Sequence, residues 1–480
     1  MPELRKEEGR WSAGRVIYAS LMAFLLLGYF YTIATYSEPT YSGKQFTFPI
    51  LFWVLRGVTA VMAIYMGKLW KNKGFLLLSA FWLLLFLRVF LENPANLFLN
   101  DISEYLLTGL WAFAGCYGLA EGLGEKQLKQ FLGLITAIWT VGMVVYSGIG
   151  LYAAWTDQRV YTIGRNAIFG LYWENRLFLA YYETVSGAVL SLSAVIAVCG
   201  MLAAGHKWAK VLYGLAALPM LVALSLTGTR AAQITVSLGF GVAVLIGVLH
   251  LFKGKKDGRR SKAAWPAAVC AMALVAALSL FVSLRMVGMF NHMKNTGGIL
   301  VARAMAESAG VEIAERGLDL GNLEGALNSR PLVWRTALRV LSENKKLWLT
   351  GTSVHSPMTG INAYLGWWTP AAHCHNTLIQ VLLESGLPGL LLILLFVLLL
   401  TVRAFRLVVS TDKPLWRKLA VAVMVSLWLG EMVECFLWLH ADNAPMLPAA
   451  FVVMGIVSTS GKRAGRQPGV RGSPLSRQNP

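Results

Sequence analysis

The sequence predicts an all-α, polytopic integral membrane protein with about twelve transmembrane helices and one large extracytoplasmic loop carrying amphipathic helices. Three observations predict it. Of 480 residues, 56% are hydrophobic and only 14% charged, a balance too apolar for a soluble domain of this size. The apolar residues gather into runs long enough to cross a bilayer as a helix, which takes about 20 residues. Lysine and arginine, which give a formal net charge of +19, concentrate in alternate connecting segments, the pattern that fixes orientation in a membrane. On a soluble protein that charge would suggest nucleic acid; confined to one side of a bundle it reads as topology, and no nucleic-acid partner is expected.

The apolar runs lie at 16–36, 48–66, 74–91, 102–120, 131–152, 179–204, 211–227, 231–252, 263–290, 376–401, 419–438 and 446–460. An even number puts both termini on one side. The N-terminus, the Lys68/Lys71/Lys73 turn, Lys126/Lys129, Lys207/Lys210, the 253–262 cluster, the 403–418 segment and the tail hold 27 of the 43 lysines and arginines. These seven segments are assigned to the cytoplasm, which makes the expected location the cytoplasmic (inner) membrane, crossed many times. The turns near Glu38, Asn93 and Arg230, the 153–178 loop, the long 291–375 segment and the 440–445 turn then face outward. The first run follows Arg5, Lys6, Arg10 and Arg15. It is longer than a signal-peptide core and lacks a small-residue cleavage site, so a retained helix is expected. Four cysteines fall in apolar helices and only Cys374 outside them, which suggests no disulfide framework. The tail, 461–480, rich in Gly, Pro, Ser and Arg, is expected to be disordered. No internal repeat is visible.

Within the long loop, 299–316 and 331–346 carry apolar residues at helical spacing with charges between them. In the second, Leu332, Val333, Trp334, Leu338 and Leu341 are expected to form one face, with Asn328 or Ser329 as N-cap and Pro331 in the first turn. Such helices either lie at the membrane surface or pack over the bundle.

Three polar sites reach the outer face in this topology. Thr227-Gly228-Thr229-Arg230 joins two apolar helices and sets an arginine at the entrance to the second. A helix start already carries free N–H groups and partial positive charge, so an arginine there suggests a nearby anion; the alternative is snorkelling to lipid headgroups. Arg330 stands likewise at the start of the second amphipathic helix, with Arg335 about one turn on; guanidinium suits phosphate because its fork is planar and permanently charged. The third site is His373-Cys374-His375-Asn376, just before a helix containing Glu384, Gly386, Pro388 and Gly389. An imidazole at the membrane boundary is a reasonable general base. A zinc reading of His-Cys-His lacks a second ligand cluster at matching spacing, so no metal is expected. Arg56, Arg88, Glu183, Glu384, Glu431 and Glu434 fall at membrane depth, where each needs a partner or water. Glu431 and Glu434 either border an entrance or pair with Arg56 or Arg88. The aromatics Tyr152, Trp155, Tyr161, Tyr172 and Trp173, among Arg159, Arg165 and Arg176, either stack on sugars or anchor the chain at the interface.

These residues carry a resemblance. TGTRAAQ, SRPLVWRTALRVLSENKKLWLTG and HCHNTLIQVLLESGLPGLLL, together spanning about residues 225–400, resemble the O-antigen ligase and O-antigen polymerase family in order and separation. The resemblance implies a membrane-embedded, GT-C-like glycosyltransferase that moves a glycan from an undecaprenyl-pyrophosphate carrier to a lipid, glycan or protein acceptor, with no cofactor or required metal. By match to the motifs, Arg230 and Arg330 would hold the carrier pyrophosphate and His375 would activate the acceptor hydroxyl. Arg335, His373, Asn376 and Glu384 would support them. Where the family's loop motif often has a proline and a second glycine, this chain has Lys346 and Gly351-Thr352-Ser353. The implied organisation is N-terminal transmembrane helices over 1–210, a ligase-like core over 211–401 that includes the 291–375 loop, C-terminal helices over 402–460, and the tail. A ligase, a repeat-unit polymerase and a protein oligosaccharyltransferase would share this chemistry. The rival of a different class is a secondary transporter or flippase, which would place substrate near the midplane between repeated halves.

Overall fold

A computed structural model describes residues 11–35, 49–98, 100–158, 161–163, 167–172, 175–179, 183–252, 263–301, 330–354, 356–365, 373–432, 435 and 446–459. The chain is a polytopic membrane protein: helices occupy each of the expected apolar runs, and among the described residues seven are long and apolar enough to cross a bilayer. In order, the helices of all lengths are α1 (Ala13–Thr35), α2 (Pro49–Gly67), α3 (Lys73–Glu92), α4 (Asn100–Leu110), α5 (Tyr117–Gly122), α6 (Glu125–Trp155), α7 (Glu183–Ala203), α8 (Lys207–Leu226), α9 (Arg230–Leu251) and α10 (Ala264–Val301). There follow α11 (Arg330–Glu343), α12 (Leu347–Thr350), α13 (Thr359–Leu365), α14 (Thr377–Val409), α15 (Leu415–Glu431) and α16 (Leu447–Thr459). A π-helical turn over Trp111–Cys116 joins α4 to α5.

The 153–178 loop departs from the all-α expectation. It holds a three-stranded antiparallel sheet, β1 (Tyr161–Ile163), β2 (Ala167–Tyr172) and β3 (Arg176–Leu179), in the order β1-β2-β3. Phe169 pairs with Tyr161 on one side and Leu179 on the other. All four residues of β3 are buried, because the sheet lies against α6, where Leu179 meets Gly150 so closely that an added Cβ would stand 2.0 Å from the leucine side chain.

Two packing relations position the site. The first is antiparallel packing of α9 on α15. Along α7, Gly187, Ser191 and Val195 meet Thr229, Thr235 and Gly239 of α9 in rising order, whereas Ser426 of α15 lies at the Gly239 level and Leu419 further along, at Cys199. The Ser426 hydroxyl donates to the Thr235 carbonyl at 3.1 Å. The second is a break in α14. Gly386 has φ +66°, a left-handed conformation that an L side chain adopts only at a cost, and Pro388 has no N–H to return to the preceding turn. The expected span 376–401 is therefore two helices: a nine-residue head ending at Ser385, and an apolar helix from 387 to 409 that is long enough to cross the membrane. Gly351, with φ +71°, lies against the break; a Cβ on Gly386 would fall 2.4 Å from the Leu349 carbonyl oxygen, and one on Gly351 2.5 Å from that of Leu383. The Leu383 carbonyl, freed by the break, accepts from the Thr352 N–H at 2.6 Å and its hydroxyl at 3.1 Å. Broken helices survive at membrane depth where such partners take up the freed groups.

Above the main core a second cluster joins α11, α13 and the head of α14: Val333, Ala337, Val340, Leu341, Met358, Ile361, Cys374, Leu382 and Leu383. The buried face of α11 is rotated from the expected one. Val333, Thr336, Ala337, Val340 and Leu341 are buried, at i, i+3, i+4, i+7 and i+8, whereas Leu332 and Leu338 are exposed. The expected caps Asn328 and Ser329, and the amphipathic helix 299–316 beyond Val301, lie outside the described residues, as does the tail. At the far end of the bundle Arg403 donates to the Ser458 carbonyl at 2.8 Å, and Ser458 also contacts Tyr117, tying α14, α16 and α5 together.

Substituting Gly386→Ala should lower stability by about 1–3 kcal/mol from backbone conformation alone, with the carbonyl contact adding to it. A thermal unfolding curve in detergent at or above the wild-type midpoint would refute the interlock.

Candidate active site

The turn after α8 is built from its own hydroxyls. Gly228, at φ +64°, lets the chain reverse. The Thr227 hydroxyl donates to Thr229 Oγ1 at 3.0 Å and accepts the Thr229 N–H at 3.3 Å. Gly187 of α7 lies directly against Thr229. From β3 the buried Arg176 donates Nε–H to the Thr227 carbonyl at 2.8 Å. The unexpected sheet therefore clamps the turn that presents Arg230, the first residue of α9. Arg230 is half-buried, and its Nε is buried with no hydrogen-bond partner among the described residues. An unmatched buried donor costs about 1–3 kcal/mol, and this one sits where the free N–H groups of a helix start already favour an anion.

The segment 373–376 forms a strap ahead of α14. Asn376 caps the helix, its Oδ1 accepting from the N–H groups of Leu378 and Ile379 at 3.0 and 3.2 Å, while its Nδ2 donates to the Met432 carbonyl at 2.9 Å. The Thr377 hydroxyl contacts the Glu431 carboxylate. The strap is thus fastened to the end of α15. His375 is half-buried at φ +51°, a left-handed conformation for a residue with a Cβ; such strain persists only where surrounding contacts enforce it and clusters at functional sites. Its N–H donates to Nδ1 of the buried His373 at 3.1 Å, and the two rings lie 4.3 Å apart. An Nδ1 that accepts carries no proton, so the remaining donor of a neutral His373 is Nε2. Cys374 is fully buried, and burial, with the Glu384 charge adding, pushes its thiol well above the usual range. It stays a thiol, packed against Met358.

Glu384 lies on the head of α14 and is completely buried. Its Oε2 accepts from the Tyr105 hydroxyl of α4 at 2.8 Å and its Oε1 from Nε2 of Gln380 at 2.7 Å. The Gln380 carbonyl oxygen accepts the Cys374 N–H at 3.0 Å, and Trp334 of α11 donates Nε1–H to the Cys374 carbonyl at 2.7 Å.

Through Gln380 and the Cys374 peptide these contacts link Glu384 and the Trp334 face of α11 to the strap that carries His373, His375 and Asn376. Arg330, half-buried, is four residues before Trp334 and so next to it on the same face. Arg335 is exposed, five residues from Arg330 and on another face. Arg230 and Glu431 each lie five residues beyond mutually contacting positions on antiparallel helices (Thr235 and Ser426), roughly 7.5 Å toward the same end at 1.5 Å per residue. The Arg230 turn and the strap that Glu431 holds consequently share one end of the bundle. Of the two alternatives for Glu431, pairing with Arg56 or Arg88 is not seen among the described contacts, where Glu431 meets Thr377 and each arginine has another partner. Arg88 bonds Glu92 at 3.1 Å; Glu92 in turn accepts from the Ser353 hydroxyl at 3.0 Å. Arg56 donates to the Thr108 hydroxyl at 3.0 Å and stands 4.5 Å over the Phe52 ring. Trp155 packs edge-on against Phe290, and Tyr152 is exposed. Glu434, Arg159, Arg165 and Trp173 lie outside the described residues, as do the side chains of Glu183, Tyr161 and Tyr172.

Sequence reasoning missed Tyr105 and Gln380, placed Trp334 on an apolar face with no hydrogen-bonding role, and did not single out Arg176 as a clamp. Only Gln380 carried a local signal, since it stands one helical turn before Glu384.

The family model described as O-antigen ligase matches residues 215–394, from within α8 to within α14. The matched segment contains the Thr227–Arg230 turn, α11, the strap and Glu384. No curated protein matches the chain.

Proposed function

We propose, from the match of residues 215–394 to the family model described as O-antigen ligase, that this membrane protein of polysaccharide biosynthesis transfers a glycan from an undecaprenyl-pyrophosphate carrier to an acceptor hydroxyl at the outer face of the cytoplasmic membrane. The observation that carries the proposal is the unmatched buried Nε of Arg230, at a helix start that shares one end of the bundle with the half-buried His375. A guanidinium nitrogen without a partner among the described residues, beside free helix N–H groups, suits a ligand that brings its own negative charge.

In the proposed reaction Arg230 and Arg330 grip the pyrophosphate. The acceptor oxygen attacks the anomeric carbon while His375 takes the hydroxyl proton. The bond from that carbon to the pyrophosphate oxygen breaks, and undecaprenyl pyrophosphate leaves with the electron pair. Negative charge grows on the leaving group as the transfer proceeds, so fixed guanidinium groups stabilise the transition state more than the ground state. The carrier is already activated. Two permanent cations supply the charge neutralisation that a divalent ion provides elsewhere, so the reaction needs no metal. His373 orients His375, and Arg335, being exposed, serves the rim. Both termini are proposed to be cytoplasmic and about twelve helices to span the membrane. The division into 1–210, the ligase core 211–401, 402–460 and the tail follows from the same reading. Ligase, polymerase and protein oligosaccharyltransferase activities share these steps, and the acceptor found in the product distinguishes them.

Replacing His375 with Ala should reduce transfer from a synthetic undecaprenyl-pyrophosphate-linked oligosaccharide by at least about 10²-fold, while undecaprenyl pyrophosphate still binds; near-normal turnover would exclude it as the base. Changing Arg230 or Arg330 to Ala should weaken undecaprenyl pyrophosphate binding, and Lys should restore only part of it because an ammonium lacks the bidentate fork. Full binding and turnover with Lys at both positions would contradict the phosphate role.

A further inference from the structure

The buried chain that ends on the strap has a fixed direction. The Cys374 N–H can only donate, so the Gln380 atom it meets is the carbonyl oxygen. That turns the Gln380 amide nitrogen to Glu384, which accepts it on one oxygen and the Tyr105 hydroxyl on the other. Trp334 takes the other polar group of the same residue, the Cys374 carbonyl. Both backbone groups of the residue before His375 are thus held by side chains from two different elements, α14 and α11. Tyr105, Gln380 and Glu384 are 3%, 1% and 0% exposed, so water does not substitute for a missing link. The ionisable groups that described contacts bring to this chain are Tyr105 from α4, Cys374, His373 and His375 from the strap, and Glu431 from α15, which is engaged by Thr377.

We propose that Gln380 is a positioning residue for the transfer reaction, holding the left-handed His375 at the acceptor through the Cys374 peptide, and that Glu384 acts by orienting Gln380. This inference rests on the reading of His375 as the base. A displacement of about 1 Å in a reacting group suffices to cost about 10²-fold in rate. The hydrogen-bond logic predicts the effect of three changes. Gln380→Leu removes the link. Gln380→Glu sets two carboxylates face to face, and the chain closes only when one proton lies between them. The swap Gln380→Glu/Glu384→Gln restores every bond with the two groups exchanged. Tyr105 then donates to the amide oxygen at position 384, the amide nitrogen there donates to the carboxylate at position 380, and that carboxylate accepts the Cys374 N–H.

The test uses full-length protein in nanodiscs and a synthetic undecaprenyl-pyrophosphate-linked oligosaccharide, with turnover read as released undecaprenyl pyrophosphate. Turnover of Gln380→Leu should fall by about 10²-fold, with affinity for undecaprenyl pyrophosphate within about twofold of wild type. Gln380→Glu should recover activity as pH falls, through a titration that the wild type lacks. The swap should regain most of the lost turnover at high pH. Should Gln380→Leu fail to fold, the pH dependence of Gln380→Glu and the swap carry the test. Unimpaired turnover in folded Gln380→Leu, or a swap no better than Gln380→Glu at high pH, overturns the inference while loss of activity in His375→Ala leaves the base assignment standing. Full activity in His375→Ala overturns both.

Discussion

The break in α14 is the constraint from which the rest of the site follows. With Gly386 in a left-handed conformation and Gly351 wedged against it, the nine residues from Thr377 to Ser385 are released from the axis of the long apolar helix. They become a short head that carries Asn376 at its cap and Glu384 near its end. An uninterrupted helix would run Glu384 and the strap along the axis of the 387–409 span, away from α11. The break frees the Leu383 carbonyl and leaves a carboxyl buried in the head, and both have partners: Thr352 on the Leu383 carbonyl, Tyr105 and Gln380 on Glu384. A buried carboxylate with accepting capacity left unused costs several kcal/mol; here its oxygens serve to fix the orientation of Gln380.

Three arginines stand on elements tied to this end of the bundle, which also holds the Glu384 and Glu431 carboxyls: Arg176 on β3, bonded to the Thr227 carbonyl, Arg230 at the start of α9, and Arg330 one turn before the Trp334 that bonds the strap. Arg176 is used internally, on the Thr227 carbonyl, and so converts charge into rigidity of the turn. Arg230 retains a buried Nε with no partner among the described residues. In the proposed reaction the labour divides accordingly: one guanidinium stiffens the turn, the others meet the anion, and the His375 imidazole takes the proton.

Much of this is legible in the sequence and some is not, for identifiable reasons. The helices follow from apolar runs and alternating basic turns, signals spread over about 20 residues each. The Thr227–Arg230 turn and the Asn376 strap are visible as polar interruptions between apolar runs. The sheet is hidden because its strands are three to six residues long, too short for alternation to register against a background of interfacial aromatics. The break at Gly386 merges into a span because glycine and proline, here Gly386, Pro388 and Gly389, are common inside membrane helices; its partner Gly351 is 35 positions away. Tyr105 escapes for the same reason, standing 279 residues from the carboxylate it serves. The register of α11 is ambiguous in sequence because Leu332 and Leu338 are as apolar as Val333 and Leu341. Hydrophobicity alone does not tell a face packed on the α14 head from one turned outward.

What the proposed chemistry requires above all is that two guanidinium groups and one imidazole, drawn from three distant stretches of chain, surround a single anion. A cryo-electron microscopy map of the protein in nanodiscs with undecaprenyl pyrophosphate bound measures this directly. The expected result is pyrophosphate oxygens about 2.7–3.2 Å from both Arg230 and Arg330, with the His375 ring facing the same cavity. Pyrophosphate density on another surface, or on only one of the two arginines with His375 turned away, would contradict it.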